Sequence, residues 1–285
     1  EAASYPRTFY GLIATRSLGW DFDFNWDMPA LTNSHIEALL ALPAGYRAVS
    51  LVNIGQYHLA ELELRQIDPK GDKKLLQALF AYAHKNDLPS FAMRLAEAKH
   101  APDGSLYDAA LYPLSPWQPG EGFRVDRALI HALIRQESRF DPYAESHSGA
   151  AGLMQLMPAT ASYIAGDSHY REAAGRHSLK DPLTSIELGQ RYIETLLGRD
   201  EIDMELFSLT IAYNAGPGNL RRWKKQLAEI DDPLLFVETI PMAETRAFVE
   251  RVMANYWIYR LRLGQPTPSL DNVAEGKWAR YVSFD

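Results

Sequence analysis

The chain has 285 residues, of which 47% are hydrophobic and 23% charged, and its formal net charge is −7. That apolar share offsets the entropy of ordering and excludes a disordered chain. The acidic balance excludes a general nucleic-acid binder, which needs a basic face. Cysteine is absent, which excludes disulfides, thiolate metal sites and cysteine nucleophiles, and no apolar run approaches the roughly 20 residues of a membrane span.

Residues 1–112 read as helical throughout. Apolar residues recur at three- and four-residue intervals, which predicts helices over Pro6–Leu18, Ala30–Ala41, Tyr46–Asn53, Gln56–Gln66, Asp72–Lys85 and Leu88–Glu97. Leu51, Gly55, Ala60 and Leu64 align with Tyr82, Asn86, Phe91 and Leu95 at an offset of 31, as in an α-solenoid repeat. Two unrelated helical hairpins remain the alternative. Between Tyr112 and Phe123, three Pro and two Gly interrupt any helix, and a domain boundary is placed there. The expected division is 1–112 and 113–285.

Beyond the boundary the pattern predicts helices over Val125–Glu137, from Asp181-Pro182 to Leu197, and over Met204–Tyr213, Gly218–Leu227 and Ala243–Leu263, with a pattern-poor tail from Gln265. Asp181 is the expected N-cap, with Pro at the first helical position. Strand signals are nearly absent, so the class is all-α. The eight His are scattered without ligand spacing, and Gly-x-Ser-x-Gly and Walker patterns are missing, so no metal or cofactor site is read.

The chemically informative stretch runs from Ala128 to Pro158. Ile130, Leu133 and Ile134 share a helix face with Glu137. A carboxyl at the end of an apolar stripe, at a helix C-terminus, is disfavoured as an anion by burial and by the helix dipole. That suits a general acid; a buried Glu paired with Arg135 or Arg139 is the alternative. Asp141, four residues on, lies in an Asp-Pro turn where local capping is its expected work. A loop of small residues follows (Ser146, Gly149, Gly152), then Met154, Gln155 and Met157. Taken alone, the two Met read as core fillers ahead of ligand contacts. Tyr213 and Asn214 sit at a helix end beside Gly216, placed to face a cleft or to cap the helix.

The strings ALIRQESRFDP, GAAGLMQLMPATA, AYNAGPG and FVETIPMAETRAFVERV, in that order, resemble the soluble lytic transglycosylases, bacterial enzymes that cleave peptidoglycan glycan strands with a lysozyme-like domain. The resemblance covers about residues 113–263. It implies a helical superhelical or linker domain followed by a lysozyme-like catalytic domain, in a C-terminal portion or short form of a larger architecture. It implies Glu137 as the catalytic acid, Ser146 in the groove near the substrate N-acetyl group, Gln155 and Met157 lining the glycan groove, Tyr213 hydrogen-bonded to the catalytic Glu, and Glu244 as a further groove residue. Phe248 stands where members often carry Tyr, so a hydroxyl contact is missing there.

The reaction implied is cleavage of the MurNAc–GlcNAc β-1,4 bond to 1,6-anhydro-MurNAc ends, with one Glu acting as acid and then base and with no metal or cofactor. A same-fold hydrolase and a noncatalytic peptidoglycan-binding scaffold are the rival readings. The implied setting is the periplasm of a Gram-negative bacterium, reached with a signal peptide upstream of this chain. The implied partners are glycan strands and proteins of cell-wall synthesis or remodelling, with no nucleic acid.

Overall fold

The computed structural model describes residues 1–100 and 104–284; residues 101–103 and 285, which fall inside the two halves expected above, lie outside the described residues. The chain is all-α, and the β-type pairing among the described residues is confined to three isolated bridges. The helices are α1 (Phe9–Ser17), α2 (Asn33–Leu40), α3 (Pro43–Asn53), α4 (Tyr57–Leu64), α5 (Lys73–Lys85), α6 (Pro89–Ala98), α7 (Asp108–Leu111), α8 (Arg127–Glu137), α9 (Pro158–Ala165), α10 (Ala173–Ser178), α11 (Pro182–Leu197), α12 (Leu206–Ala215), α13 (Pro217–Gln226), α14 (Pro233–Glu238), α15 (Ala243–Arg262) and α16 (Pro268–Ala274). Seven of them carry Pro in the first turn, where its missing N–H costs nothing and its fixed φ suits the helix. Many of the prolines therefore start helices rather than break them. The short α9, α14 and α16 were not among the predicted helices, because about two turns carry too little apolar spacing to show.

Two compact units are present, Asp23–Pro116 and Glu1–Phe22 with Trp117–Asp285. The second junction lies close to the proline-rich boundary read from sequence. The first 22 residues, read as part of the helical half, belong instead with the larger unit.

In the smaller unit, α3–α4 and α5–α6 form two hairpins whose turns share a closing hydrogen bond. Gln56 N–H donates to the Leu51 carbonyl at 2.8 Å and Leu88 N–H to the Ala83 carbonyl at 2.9 Å. Gly55 and Asp87 take left-handed backbone at equivalent places, with φ of 73° and 52°. The structural offset is 32, not 31. Tyr82 and Ala83, Phe91 and Ala92, and Leu95 and Ala96 are neighbouring pairs in which both members are buried, so apolar spacing alone left the register one residue loose. Buried Glu61 on α4 ties the second hairpin in place, accepting from Phe91 N–H at the start of α6 (3.1 Å) and from Arg65 Nη2 (3.3 Å).

In the larger unit, α8 and α15 pack against each other at the centre. Every residue from Ala128 to Ile134 is buried, so α8 is apolar all round rather than along one stripe, the pattern of an internal helix. Its N-cap is Asp126, whose carboxylate accepts from Ala128 N–H at 2.9 Å and from Arg260 Nη2 at 2.6 Å. Asp126 and Arg260 are both fully buried. Each meets further partners, including the Tyr256 hydroxyl and the Val282 carbonyl on Arg260, as a buried ion pair requires. The α1 helix packs on α15 and α16: the Phe9 ring stacks on Trp257 at 5.4 Å, and Arg16 pairs with Asp271 at 3.2 Å and donates to the Thr267 hydroxyl at 2.8 Å.

Candidate active site

Glu137 is the last residue of α8. The helix stops because Arg139 and Phe140 both adopt left-handed backbone, with φ of 54° and 62°, which is costly for residues bearing a Cβ. Complete burial of Phe140 offsets that strain. The Glu137 carboxyl thus leaves the helix at its electronegative end, partly buried. Among the described residues no group hydrogen-bonds or ion-pairs with it. Burial pushes the carboxyl up to about 8. The ion-pair alternative does not form, and Arg135 Nη1 donates instead to Asn255 Oδ1 at 2.9 Å. Asp141 caps its own turn, accepting from Tyr143 N–H at 3.0 Å.

The loop from 144 to 157 is held by its own polar groups. Ser146 Oγ accepts from Ala150 N–H at 3.0 Å, while the Ser146 N–H donates to the Ala150 carbonyl at 2.9 Å. With one of its two lone pairs used by the loop, the Ser146 hydroxyl keeps its proton for an outside acceptor. Gln155 Nε2 donates to the carbonyls of Ala144 and Gly152, both at 2.9 Å, so the amide oxygen is the end left for a ligand. Gly152 has φ of 81°, and a Cβ there would lie 1.9 Å from the Leu179 carbonyl oxygen. Only glycine lets the loop approach the Leu179 carbonyl, at the C-terminal end of α10, this closely. Met154 N–H donates to Ser185 Oγ on α11 at 3.1 Å. Met154 is fully buried, in the core as read from the residues alone, whereas Met157 is 40% exposed and does not fill the core.

Tyr213 comes from α12 and is almost fully buried. Its hydroxyl donates to the Met154 carbonyl at 2.7 Å, not to Glu137 as the resemblance implied. A phenol has one proton, and here a buried backbone carbonyl takes it. The phenol oxygen still has lone pairs, and the charge of Glu137 acts on it: burial first and that charge second hold the hydroxyl well above its ordinary pKa. Tyr213 therefore stays a neutral donor beside the carboxyl. The Tyr192 ring backs it at 5.3 Å.

Glu244 is exposed in the first turn of α15. Its neighbour Thr245 is fully buried and donates to Asn214 Oδ1 at 2.8 Å, joining the residue after Tyr213 to the residue after Glu244. Asn214 was read in the sequence together with Tyr213 at the helix end, whereas Thr245 was not singled out, because a buried hydroxyl gives no periodic signal. Phe248 is buried and contributes packing alone.

The family model for the transglycosylase SLT domain matches residues 117–235. That segment is similar to transglycosylase SLT domains. Over nearly its full length the chain is 30% identical to the soluble lytic murein transglycosylase of Escherichia coli K12 (284 residues, 96% of this chain) and 29% identical to that of Salmonella typhimurium (287 residues, 98% of this chain). It spans 42% of the length of each of these relatives. Among solved structures it is similar to the 70 kDa soluble lytic transglycosylase of E. coli, with a TM-score of 0.76 and 28% identity over 97% of this chain and 44% of that one. It is also similar to an inactive variant of the lytic transglycosylase Slt from Pseudomonas aeruginosa in which a glutamate is replaced by glutamine. There the TM-score is 0.69 and identity 26%, over 98% of this chain and 44% of that one. Glu137, Ser146, Gln155, Met157 and Tyr213 lie within the matched segment; Glu244 and Thr245 lie beyond its last residue.

Proposed function

We propose that the larger unit cleaves the MurNAc–GlcNAc β-1,4 bond of peptidoglycan by intramolecular transglycosylation. The single observation that carries this reading is the Glu137 carboxyl, unpaired and raised to about 8 by burial alone, inside an SLT domain. Protonated near neutral pH, Glu137 gives its proton to the glycosidic oxygen as the C1–O bond breaks. The acetamido oxygen of the same sugar stabilises the cation growing at C1. Glu137, now ionised, takes the proton of the C6 hydroxyl as that oxygen closes on C1, which yields the 1,6-anhydro ring and restores the acid. The nucleophile is tethered to the reacting sugar, an advantage equivalent to an effective concentration of about 10⁵ M or more. It needs no second carboxylate to activate water, and Asp141 is committed to its turn.

The Ser146 hydroxyl and the Gln155 amide oxygen would contact the acetamido group and the hydroxyls of the sugars, with Met157 and Glu244 along the glycan. Tyr213 would hold the carboxyl in place by accepting from its protonated form. The protein would work in the periplasm of a Gram-negative cell; among the described residues no helix is long and apolar enough to cross a membrane.

The test is mass spectrometry of peptidoglycan digested in ¹⁸O-labelled water. Muramic ends lighter by one water and unlabelled are expected. Labelled reducing ends would make the enzyme a hydrolase and overturn the transglycosylation. No cleavage by folded protein would leave a noncatalytic binder.

A further inference from the structure

At the far end of α12 from Tyr213 lies a cavity of about 300 Å³, lined by Asp203, Glu205, Lys224, Leu227, Ala228, Ile230, Phe236, Trp278 and Arg280. Glu205 is the N-cap of α12 and stands eight residues before Tyr213, about 12 Å along a helix axis. The two sites thus share a helix but not a wall.

The walls divide sharply in what hydrogen bonding they leave unused. The acidic groups are already occupied. Glu205 accepts from Phe207 N–H at 2.7 Å and Ser208 N–H at 2.5 Å, and Asp203 pairs with Arg280 at 3.0 Å. The donors are not. The Lys224 ammonium spends one N–H on the Glu201 carbonyl at 2.7 Å and keeps two. The Trp278 indole N–H meets no acceptor among the described residues, although its ring is fixed edge-on against Phe236 at 5.3 Å. The rest of the lining is aliphatic or aromatic. A cavity that offers spare donors beside an apolar floor selects an anionic acceptor carried on a small apolar body. Its volume, at the bottom of the range for ligand pockets, fits a dipeptide end better than a disaccharide.

We propose that this cavity binds the free C-terminal carboxylate of a short alanyl peptide, the carboxylate meeting Lys224 Nζ and the Trp278 N–H and the methyl groups packing on Leu227, Ile230 and Phe236. Resting on the peptidoglycan reading above, the natural ligand is the peptide stem of a glycan strand, so the enzyme holds its polymer at two points: sugar at Glu137 and peptide at Trp278.

The experiment is calorimetric titration of the whole protein with N-acetyl-D-alanyl-D-alanine and with its C-terminal amide. The acid should bind saturably and the amide at least about tenfold more weakly. Lys224→Met, which keeps the stem, and Trp278→Phe, which keeps a ring but removes the N–H, should each weaken the acid by a similar factor and leave the thermal midpoint near that of the parent. Equal binding of acid and amide, binding indifferent to both substitutions, or no saturable binding would each overturn the proposal. A second readout uses glycan with its stems and glycan stripped of them by an amidase. Lys224→Met should raise KM on the first only; a rise on both would sink the two-point reading. The titration needs no turnover, so failure of glycan cleavage would count against the proposed activity while leaving the pocket judged on its own.

Discussion

The Tyr213 hydroxyl donates to the Met154 carbonyl, 2.7 Å away and 59 residues distant in sequence. This bond closes the 144–157 loop onto α12 and holds a phenol beside the Glu137 carboxyl. Tyr213→Phe removes the only donor given to that carbonyl from α12, in a buried setting where an orphaned acceptor costs about 1–3 kcal/mol. The variant should lose about 1–3 kcal/mol of unfolding free energy, read as a lower urea midpoint, and cleave peptidoglycan more slowly without losing activity. Loss as complete as that from removing the carboxyl would transfer the acid's role to the phenol.

Glu137→Gln should abolish cleavage while leaving the fold intact. Its effect on stability carries a sign. Below pH about 4.5 the carboxyl holds a proton in folded and unfolded chains alike, and the substitution is neutral. Between there and about 8 the folded chain keeps a proton the unfolded chain has lost, so the parent loses stability as pH climbs, by up to about 1.4 kcal/mol per pH unit, and levels off above. Thermal melts should therefore favour the Gln variant at pH 8 and not at pH 4. A variant that melts lower at pH 8 would mean the carboxylate is stabilised by a cation after all.

The activity of the parent should follow the same group. A general acid works only while protonated, so kcat/KM on soluble glycan should fall on the alkaline side with a midpoint near 8. A limb near 4.5, the ordinary glutamate position, would remove desolvation from the account.

Gly152→Ala places a methyl 1.9 Å from the Leu179 carbonyl oxygen at a φ of 81°. Both effects push the loop off the Leu179 carbonyl at the end of α10. We expect a loss of several kcal/mol in stability and, in any folded fraction, turnover slowed more than by Ser146→Ala, which removes a single hydroxyl. Circular dichroism melts and glycan assays check this pair; a Gly152→Ala protein as stable as the parent would mean the loop is free to shift.

How much of this was legible in the residues depends on the kind of signal. Apolar spacing located the long helices α5, α8, α11 and α15, and the Glu137 carboxyl was readable as buried because three apolar residues precede it on one face. The register of the two hairpins was not, since adjacent buried pairs such as Phe91 and Ala92 satisfy either offset. The partner of Tyr213 was also hidden: it is a backbone carbonyl, which no side-chain pattern announces. Nor could periodicity say that α1 belongs with α15 and α16, because a helix's apolar face does not name what covers it.

That placement of α1 gives a further prediction. A chain beginning at Trp117 lacks Phe9 against Trp257 and Arg16 against Asp271. It should melt well below the same chain with residues 1–22 joined to Trp117 through a flexible Gly/Ser linker, because burying one aromatic side chain alone contributes about 1.5–3 kcal/mol. Equal melting temperatures would show that α1 contributes nothing to the larger unit.

The order in which a ribosome delivers these helices then matters. Asp23–Pro116 is contiguous and dominated by neighbouring hairpins, so it can collapse as soon as it emerges. The larger unit must wait. Phe9 is made about 250 residues before Trp257, which at about 5–20 residues per second is a delay of roughly 12–50 s. Throughout that interval the apolar face of α1 has no partner, and the newborn chain must be shielded or kept unfolded until its last helices arrive.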